Sequence, residues 1–356
     1  MKIWIDLRFL KNTLYSQYIK FVIDYFIQQR ENTSFIVYAN DEKLRFPWKN
    51  IEIKVVNIEI GSIQEQTKYL KILKDDNNDL MLFFDQHKPI LYKDDYYTIV
   101  AGLKDVYYQD FSNYFTKYKF LLLLEKNLKN SKKLICFDEN TSDELIERLN
   151  ILENKIEMIP GAFLENSKQL DPEQLKIDIS SKYNLQGNYL VYSGWNGIEK
   201  NLDRLLQVFY RLKKENYPLT LILLGDSIAK DLSLRNLIIK YELQDRINFL
   251  GSIKNSEKTL LYKNSTGVIF PSLYEPFPFK LSEPVFSNTA IIASKLENIE
   301  KIFGNNIHYF SPISANNMVH ELKKFIDLKE KTKDYSEIKT QFSVKNSAKE
   351  LLSIIQ

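Results

Sequence analysis

Thirteen short runs rich in apolar and β-branched residues recur along this chain, separated by polar turns or by longer helical patterns, and this alternation limits the fold more than any other feature. In the first half the runs are Lys2–Ile5, Ser34–Tyr38, Ile51–Val56, Leu80–Phe84, Tyr97–Val100, Lys133–Phe137 and Lys155–Ile159. In the second half they are Tyr189–Ser193, Leu219–Leu224, Arg246–Leu250, Gly267–Phe270, Thr289–Ala293 and Asn306–Phe310. Helical patterns lie between them, over Gln17–Gln29, Phe115–Asn130, Ser142–Asn150, Asn201–Glu215, Asp231–Tyr241 and Lys280–Ser287. Strands of this composition alternating with helices predict parallel sheets covered on both faces, an α/β architecture. At 356 residues the chain exceeds what one hydrophobic core serves, so two such units are expected.

Pro160-Gly161 ends a strand, and a polar stretch containing Asp171-Pro172 precedes the restart at Tyr189. The boundary is therefore expected near 165–187, giving a first domain over 1–165 and a second over 166–343. A last amphipathic helix, Val344–Ile355, carries Ala348, Leu351, Leu352 and Ile355 on one side and is expected to pack back on the first domain. Forty-nine Lys+Arg against 46 Asp+Glu leave a formal charge of +3, which argues against a protein that wraps nucleic acid. The single cysteine, Cys136, forms no internal disulfide, and His87, His308 and His320 are scattered, so no metal cluster is expected. The N-terminus enters a strand-like run without a secretory pattern, and the longest near-continuous apolar stretch, Phe120–Leu124, falls far short of the ~20 residues that cross a bilayer. A cytoplasmic protein is expected.

The most informative segment runs from Phe270 to Glu283, Phe270-Pro271-Ser272-Leu273-Tyr274-Glu275-Pro276-Phe277-Pro278-Phe279-Lys280-Leu281-Ser282-Glu283: a strand end, a loop and a helix start. Open α/β sheets bind ligands at the carboxyl ends of their strands, where helix-start amides favour a phosphate. Glu275 would lie in the loop and Glu283 in the first helical turn, able to accept hydrogen bonds from sugar hydroxyls on either side of such a phosphate. Upstream, Tyr189–Ser193 ends in Gly194, and Lys200 follows at the start of another helix, where its ammonium can reach the same anion. The plainer readings are surface charge or helix capping for the glutamates and a solvated lysine.

These segments, with Leu219–Asp226, Arg246–Gly251, Thr289–Ser294 and Phe342-Ser343, resemble in order the C-terminal domain of retaining glycosyltransferases of family 4, the glycosyl transferases group 1. Asp6-Leu7-Arg8, Lys104-Asp105, Cys136–Thr141 and Pro160-Gly161 match the first domain of the same family. The resemblance implies a GT-B fold, two Rossmann-like domains facing a cleft. It further implies that Lys200 contacts the donor diphosphate, Glu275 the transferred sugar and Glu283 the nucleotide ribose, with Ser193, Gly194 and the amides of Phe279 and Lys280 also on the donor. Lys104 and Asp105 would lie on the acceptor side. The implied activity moves a sugar from a nucleotide-diphosphate donor to a surface glycan or lipid-linked acceptor, without metal or cofactor, the leaving diphosphate helping to deprotonate the incoming hydroxyl. Lys200 and Glu275 are expected to face a solvent-filled cleft and to matter little for stability.

The chain departs from the family in its charges and glycines. The N-terminal loop, Lys11 to Tyr18, has no glycine; the arginine common before the lysine is Glu199; Pro276 and Pro278 replace glycines; and Lys104 stands where a histidine is common. Lys280, absent from the usual pattern, could supply the missing cation, with Lys104 assisting. A decayed donor site, in a partner or glycan-binding protein, is the alternative; a nucleotide-sugar epimerase of related fold is a third. The stretch 117–133 has six lysines and one glutamate, and reads either as a core helix with a solvated face or as a surface resting on anionic lipid at the inner face of the membrane.

Overall fold

A computed structural model of the chain describes residues 1–11, 13–75, 79–108, 114–165, 177–185 and 187–355. The polar stretch around Asp171-Pro172 and Asn12 of the N-terminal loop lie outside these residues. The chain divides into two compact units, Met1–Ala162 with Phe342–Gln356, and Phe163–Gln341.

The first unit holds a seven-stranded sheet of β1 (Lys2–Asp6), β2 (Ser34–Ala39), β3 (Ile51–Val55), β4 (Leu80–Phe83), β5 (Tyr96–Val100), β6 (Lys133–Cys136) and β7 (Ile156–Met158), in the order β3-β2-β1-β4-β5-β6-β7. Every pairing is parallel. The second unit holds six parallel strands, β8 (Asn188–Ser193), β9 (Leu219–Leu224), β10 (Ile247–Gly251), β11 (Gly267–Phe270), β12 (Ile291–Ser294) and β13 (His308–Phe310), in the order β10-β9-β8-β11-β12-β13. Each sheet grows outward on one side and then restarts beside its first strand, so the strand order reverses between β1 and β4 in one and between β8 and β11 in the other. Central strands are buried on both faces, which is why they read as unbroken apolar runs: Ile3, Trp4 and Ile5, or Leu221, Ile222 and Leu223, are almost wholly inaccessible.

Helix limits follow local chemistry. The helix expected from Ser142 begins at Glu139, because Asp138 caps it by accepting the Thr141 amide at 3.0 Å, and it ends at Leu149 with Asn150 in the left-handed region. The segment expected as one helix from Lys280 is a 3₁₀ turn, Phe279–Leu281, running into Ser282–Phe286. Asn288, with φ of 55°, reverses the chain beyond it. The terminal helix Val344–Ile354 packs on Leu14–Gln28 of the same unit, where the Tyr18 and Ser347 hydroxyls hydrogen-bond and Ala348 and Leu351 are buried.

Asp6-Leu7-Arg8 at the end of β1 forms an internal ionic cluster. The Arg8 guanidinium pairs with Asp6 at 2.8 Å and Glu65 at 2.7 Å and lies 3.5 Å from the centre of the Tyr69 ring, whose hydroxyl donates to Asp6 at 3.0 Å. A π-helical turn, Glu65–Tyr69, brings both of those residues to Arg8. Lys88 is the opposite case. It is 2% exposed, its Nζ has no hydrogen-bond partner among the described residues, and the ammonium lies 3.9 Å from the centre of the Tyr96 ring.

Burial, with Lys126 nearby, lowers the Lys88 pKa from 10.5 to about 7. At this group the unfolded chain therefore binds more protons than the folded one between those two values, so Lys88 contributes a rise in stability with pH across that window. Urea unfolding from pH 7 to 9.5 is expected to show the midpoint climbing, and Lys88→Met to flatten the climb and to be the more stable protein at pH 7. An unchanged slope in that variant would assign the pH dependence to another group.

Candidate functional site

The expected donor residues gather in the second unit, at the carboxyl ends of β8 and β11, where the strand order reverses. Close backbone approach forms the floor. The Tyr192 phenol occupies the space a side chain on Gly194 would need, 2.6 Å from an added Cβ. At the end of β9, Gly225 has φ of 130°, and a Cβ there would meet the Gly194 carbonyl at 2.8 Å. The loop after β8 is tied to the loop after β11 by backbone and side chain. The Leu273 amide donates to the Glu199 carbonyl at 2.7 Å, and Asn201, in the left-handed region, donates its side-chain amide to the Pro271 carbonyl at 3.1 Å.

Lys200 and Glu275 form an ion pair between these loops. Lys200 is 4% exposed, and the Glu275 carboxylate also lies 3.3 Å from the Ser272 hydroxyl. The Asn298 side-chain amide donates to the Glu275 and Pro276 carbonyls and holds the loop from the helix Glu297–Phe303. Glu283 pairs with Lys258 at 2.7 Å and accepts the Tyr262 hydroxyl at 3.0 Å; the Ser193 hydroxyl bonds to that same phenol. Lys280 has no salt-bridge partner among the described residues. Burial lowers its pKa, and Lys258 and Lys200 lower it further against the opposing influence of Glu283 and Glu275, so all five charges share one locality. With the buried Glu199 carboxylate beside Trp195 and Tyr192, three cations stand against three carboxylates, and Lys280 is the ammonium left without a salt-bridge partner among the described residues. That ammonium is the group an anion would meet.

Several expectations are corrected. Lys200 and Glu275 do not stand in open solvent; they are largely buried on one another, because each neutralises the other's desolvation. The Phe279 amide is engaged, donating to the Phe277 carbonyl at 2.9 Å, and so is not free for a phosphate, while the Lys280 amide follows it in the same turn. Glu199 does not turn outward: it is buried, folds over Gly197, and accepts the Trp195 indole N–H at 3.1 Å. Lys104 and Asp105 belong to the first unit, opening the short helix Lys104–Tyr108, with Lys104 exposed and Asp105 3.5 Å from the Gln86 side-chain amide. Lys258, Tyr262 and Asn298 went unread in the sequence. Lys258 and Tyr262 lie four apart on the helix Asn255–Asn264, and that spacing is the signal that would have paired them on one face.

Residues 174–342 match the family described as glycosyl transferases group 1. Among curated proteins, the chain is 24% identical over 60% of its length to the O-antigen chain mannosyltransferase RfbU of Salmonella typhimurium, covering 56% of that protein. It is 22% identical over 62% of its length to the gpi3 subunit of the phosphatidylinositol N-acetylglucosaminyltransferase of Schizosaccharomyces pombe, covering 48% of it. The chain thus spans about half the length of the curated relatives it matches. Among solved structures, Alr3699/HepE of Anabaena, in complex with UDP-glucose, superposes with a TM-score of 0.75 at 14% identity, over 100% of this chain and 99% of that one. The fold is GT-B.

The Lys200–Glu275 pair makes a stability prediction. Lys200→Ala strands a mostly buried carboxylate and is expected to cost about 3 kcal/mol in chemical denaturation. The double variant Lys200→Met with Glu275→Leu should recover most of that loss. A Lys200→Ala protein as stable as the parent would contradict the buried pairing.

Proposed function

We propose that this chain, which carries a glycosyl transferases group 1 region over residues 174–342 on a GT-B fold, moves a sugar from a nucleotide-diphosphate donor to a hydroxyl of a glycan or lipid-linked acceptor, with retention at the anomeric carbon. The observation that carries this reading is the convergence of Lys200, Lys258 and Lys280 with Glu275 and Glu283 at the point where the second sheet reverses. In the proposed reaction the bond from the anomeric carbon to the diphosphate breaks, the bond to the acceptor oxygen forms on the same face, and the acceptor's proton passes to the departing diphosphate. Charge then accumulates on the leaving group. Lys200 and Lys280 stabilise it there, the main catalytic task, and no metal is needed in this scheme. Glu275 receives the sugar hydroxyls and Glu283 the ribose, with Ser193 and Gly194 beside them; Lys104 and Asp105 serve the acceptor.

The relatives support this class: one is an O-antigen chain mannosyltransferase, and a structural neighbour was solved with UDP-glucose. Contact with an anionic membrane would use the helix Tyr114–Lys129, where Lys117, Tyr118, Lys119, Leu122 and Lys126 are exposed. No helix among the described residues is long and apolar enough to cross a membrane. The second reading, a decayed donor site in a partner or glycan-binding protein, draws on Pro276, which offers no amide, and on the engaged Phe279 amide. An epimerase would differ by converting donor with no acceptor present.

Calorimetry with UDP, GDP and ADP at millimolar concentration separates these. At least one nucleotide is expected to bind; Glu283→Ala should weaken it by roughly 1–3 kcal/mol, the scale of a hydrogen bond to a charged group. Lys280→Ala should reduce transfer as much as Lys200→Ala does, and Glu275→Ala should abolish it, in a mass-spectrometric screen of sugar donors. No heat with any nucleotide would favour the decayed site.

A further inference from the structure

Trp195, on the loop after β8, is fixed at both ends. Its carbonyl accepts the Tyr192 hydroxyl at 2.9 Å, and its indole N–H donates to Glu199 at 3.1 Å. Its ring lies 4.3 Å from the Lys200 ammonium, measured to the ring centre. Glu199 is 7% exposed and folds over Gly197, so the acceptor for the indole is a buried carboxylate packed against backbone. A buried carboxylate one residue before the lysine makes no sense as a partner for an anionic ligand. It makes sense as the group that aims a ring.

The need for such a ring follows from the ion pair. In the structure the Lys200 ammonium is held by Glu275, yet a diphosphate must take that ammonium for itself and leave Glu275 free for sugar hydroxyls. Lysine is a compact charge on a flexible stem, and nothing in the stem keeps it in place during this exchange. A second carboxylate would hold the ammonium but repel the diphosphate. An aromatic face holds it without net charge, and an indole whose N–H is bonded to a carboxylate is the more electron-rich for it.

We propose that Trp195 is a positioning residue of the donor site, its ring holding the Lys200 ammonium in register while that ammonium exchanges Glu275 for the donor's diphosphate. The inference rests on the nucleotide-sugar reading above. Glu199 acts one step further out, by orienting the indole, and its identity is explained by that partner rather than by the donor.

The test uses the full chain, UDP, GDP and ADP, and two readouts: calorimetric affinity and indole emission. Trp4 lies in β1 and Trp48 donates to Asp24, both in the first unit, so emission lost in Trp195→Phe reports Trp195. Nucleotide is expected to change the emission with the midpoint found by calorimetry. The change should vanish in Trp195→Phe, which keeps an aromatic face and should bind within about threefold of the parent, while Trp195→Ala binds about tenfold more weakly. Glu199→Gln, still able to accept the indole N–H, should lie between them. Emission that responds equally in Trp195→Phe, a Trp195→Ala affinity equal to the parent's, or failure of Trp195→Phe to rescue binding would each overturn the proposal while leaving the nucleotide-sugar reading standing. Flat calorimetry in the parent would overturn that reading, and this inference with it.

Discussion

The ion pair between Lys200 and Glu275 joins two loops that come from neighbouring strands but lie 75 residues apart in the chain. Parallel strands bring those loops together only at the reversal of strand order, where no crossover helix fills the space between them. The pair is held from both sides. Asn298 and Ser272 fix the Glu275 side, Trp195 and Asn201 the Lys200 side, and glycines at the ends of β8 and β9 let the backbone lie close beneath. Neither charge would be tolerable at this burial without the other.

The same logic makes the site ready for an anion without being strongly charged. Lys258 is spent on Glu283 and Lys200 on Glu275, which leaves Lys280, among the described residues of this site, as the cation without a salt-bridge partner to meet the proposed phosphate. In the proposed reaction a diphosphate that engages Lys280 competes for Lys200, and the carboxylate it displaces becomes a hydrogen-bond acceptor for the sugar. Proline at 276 and 278 removes amides that a phosphate could use, which leaves side chains as its proposed partners on this loop.

The thirteen strands were legible because parallel strands buried on both faces leave unbroken apolar runs, and their limits moved by only one or two residues at most ends. Lys200, Glu275 and Glu283 were legible as positions, since each sits where a strand ends or a helix begins. Their pairing was not: a contact across 75 residues leaves no local pattern. The partner of Glu199 was not legible, because Trp195 is a neutral side chain whose N–H shows nothing in a charge tally. Phe279 failed for a backbone reason, the tight turn at Pro278, which ties its amide to Phe277 before any ligand arrives.

The most direct test is a crystal structure of the chain with a bound nucleoside diphosphate. The account predicts diphosphate oxygens at about 2.7–2.9 Å from the ammonium groups of both Lys200 and Lys280, the distance of a charge-assisted hydrogen bond, with Glu275 released from Lys200. A nucleotide bound elsewhere, with Lys200 and Glu275 still joined and Lys280 facing water, would contradict it.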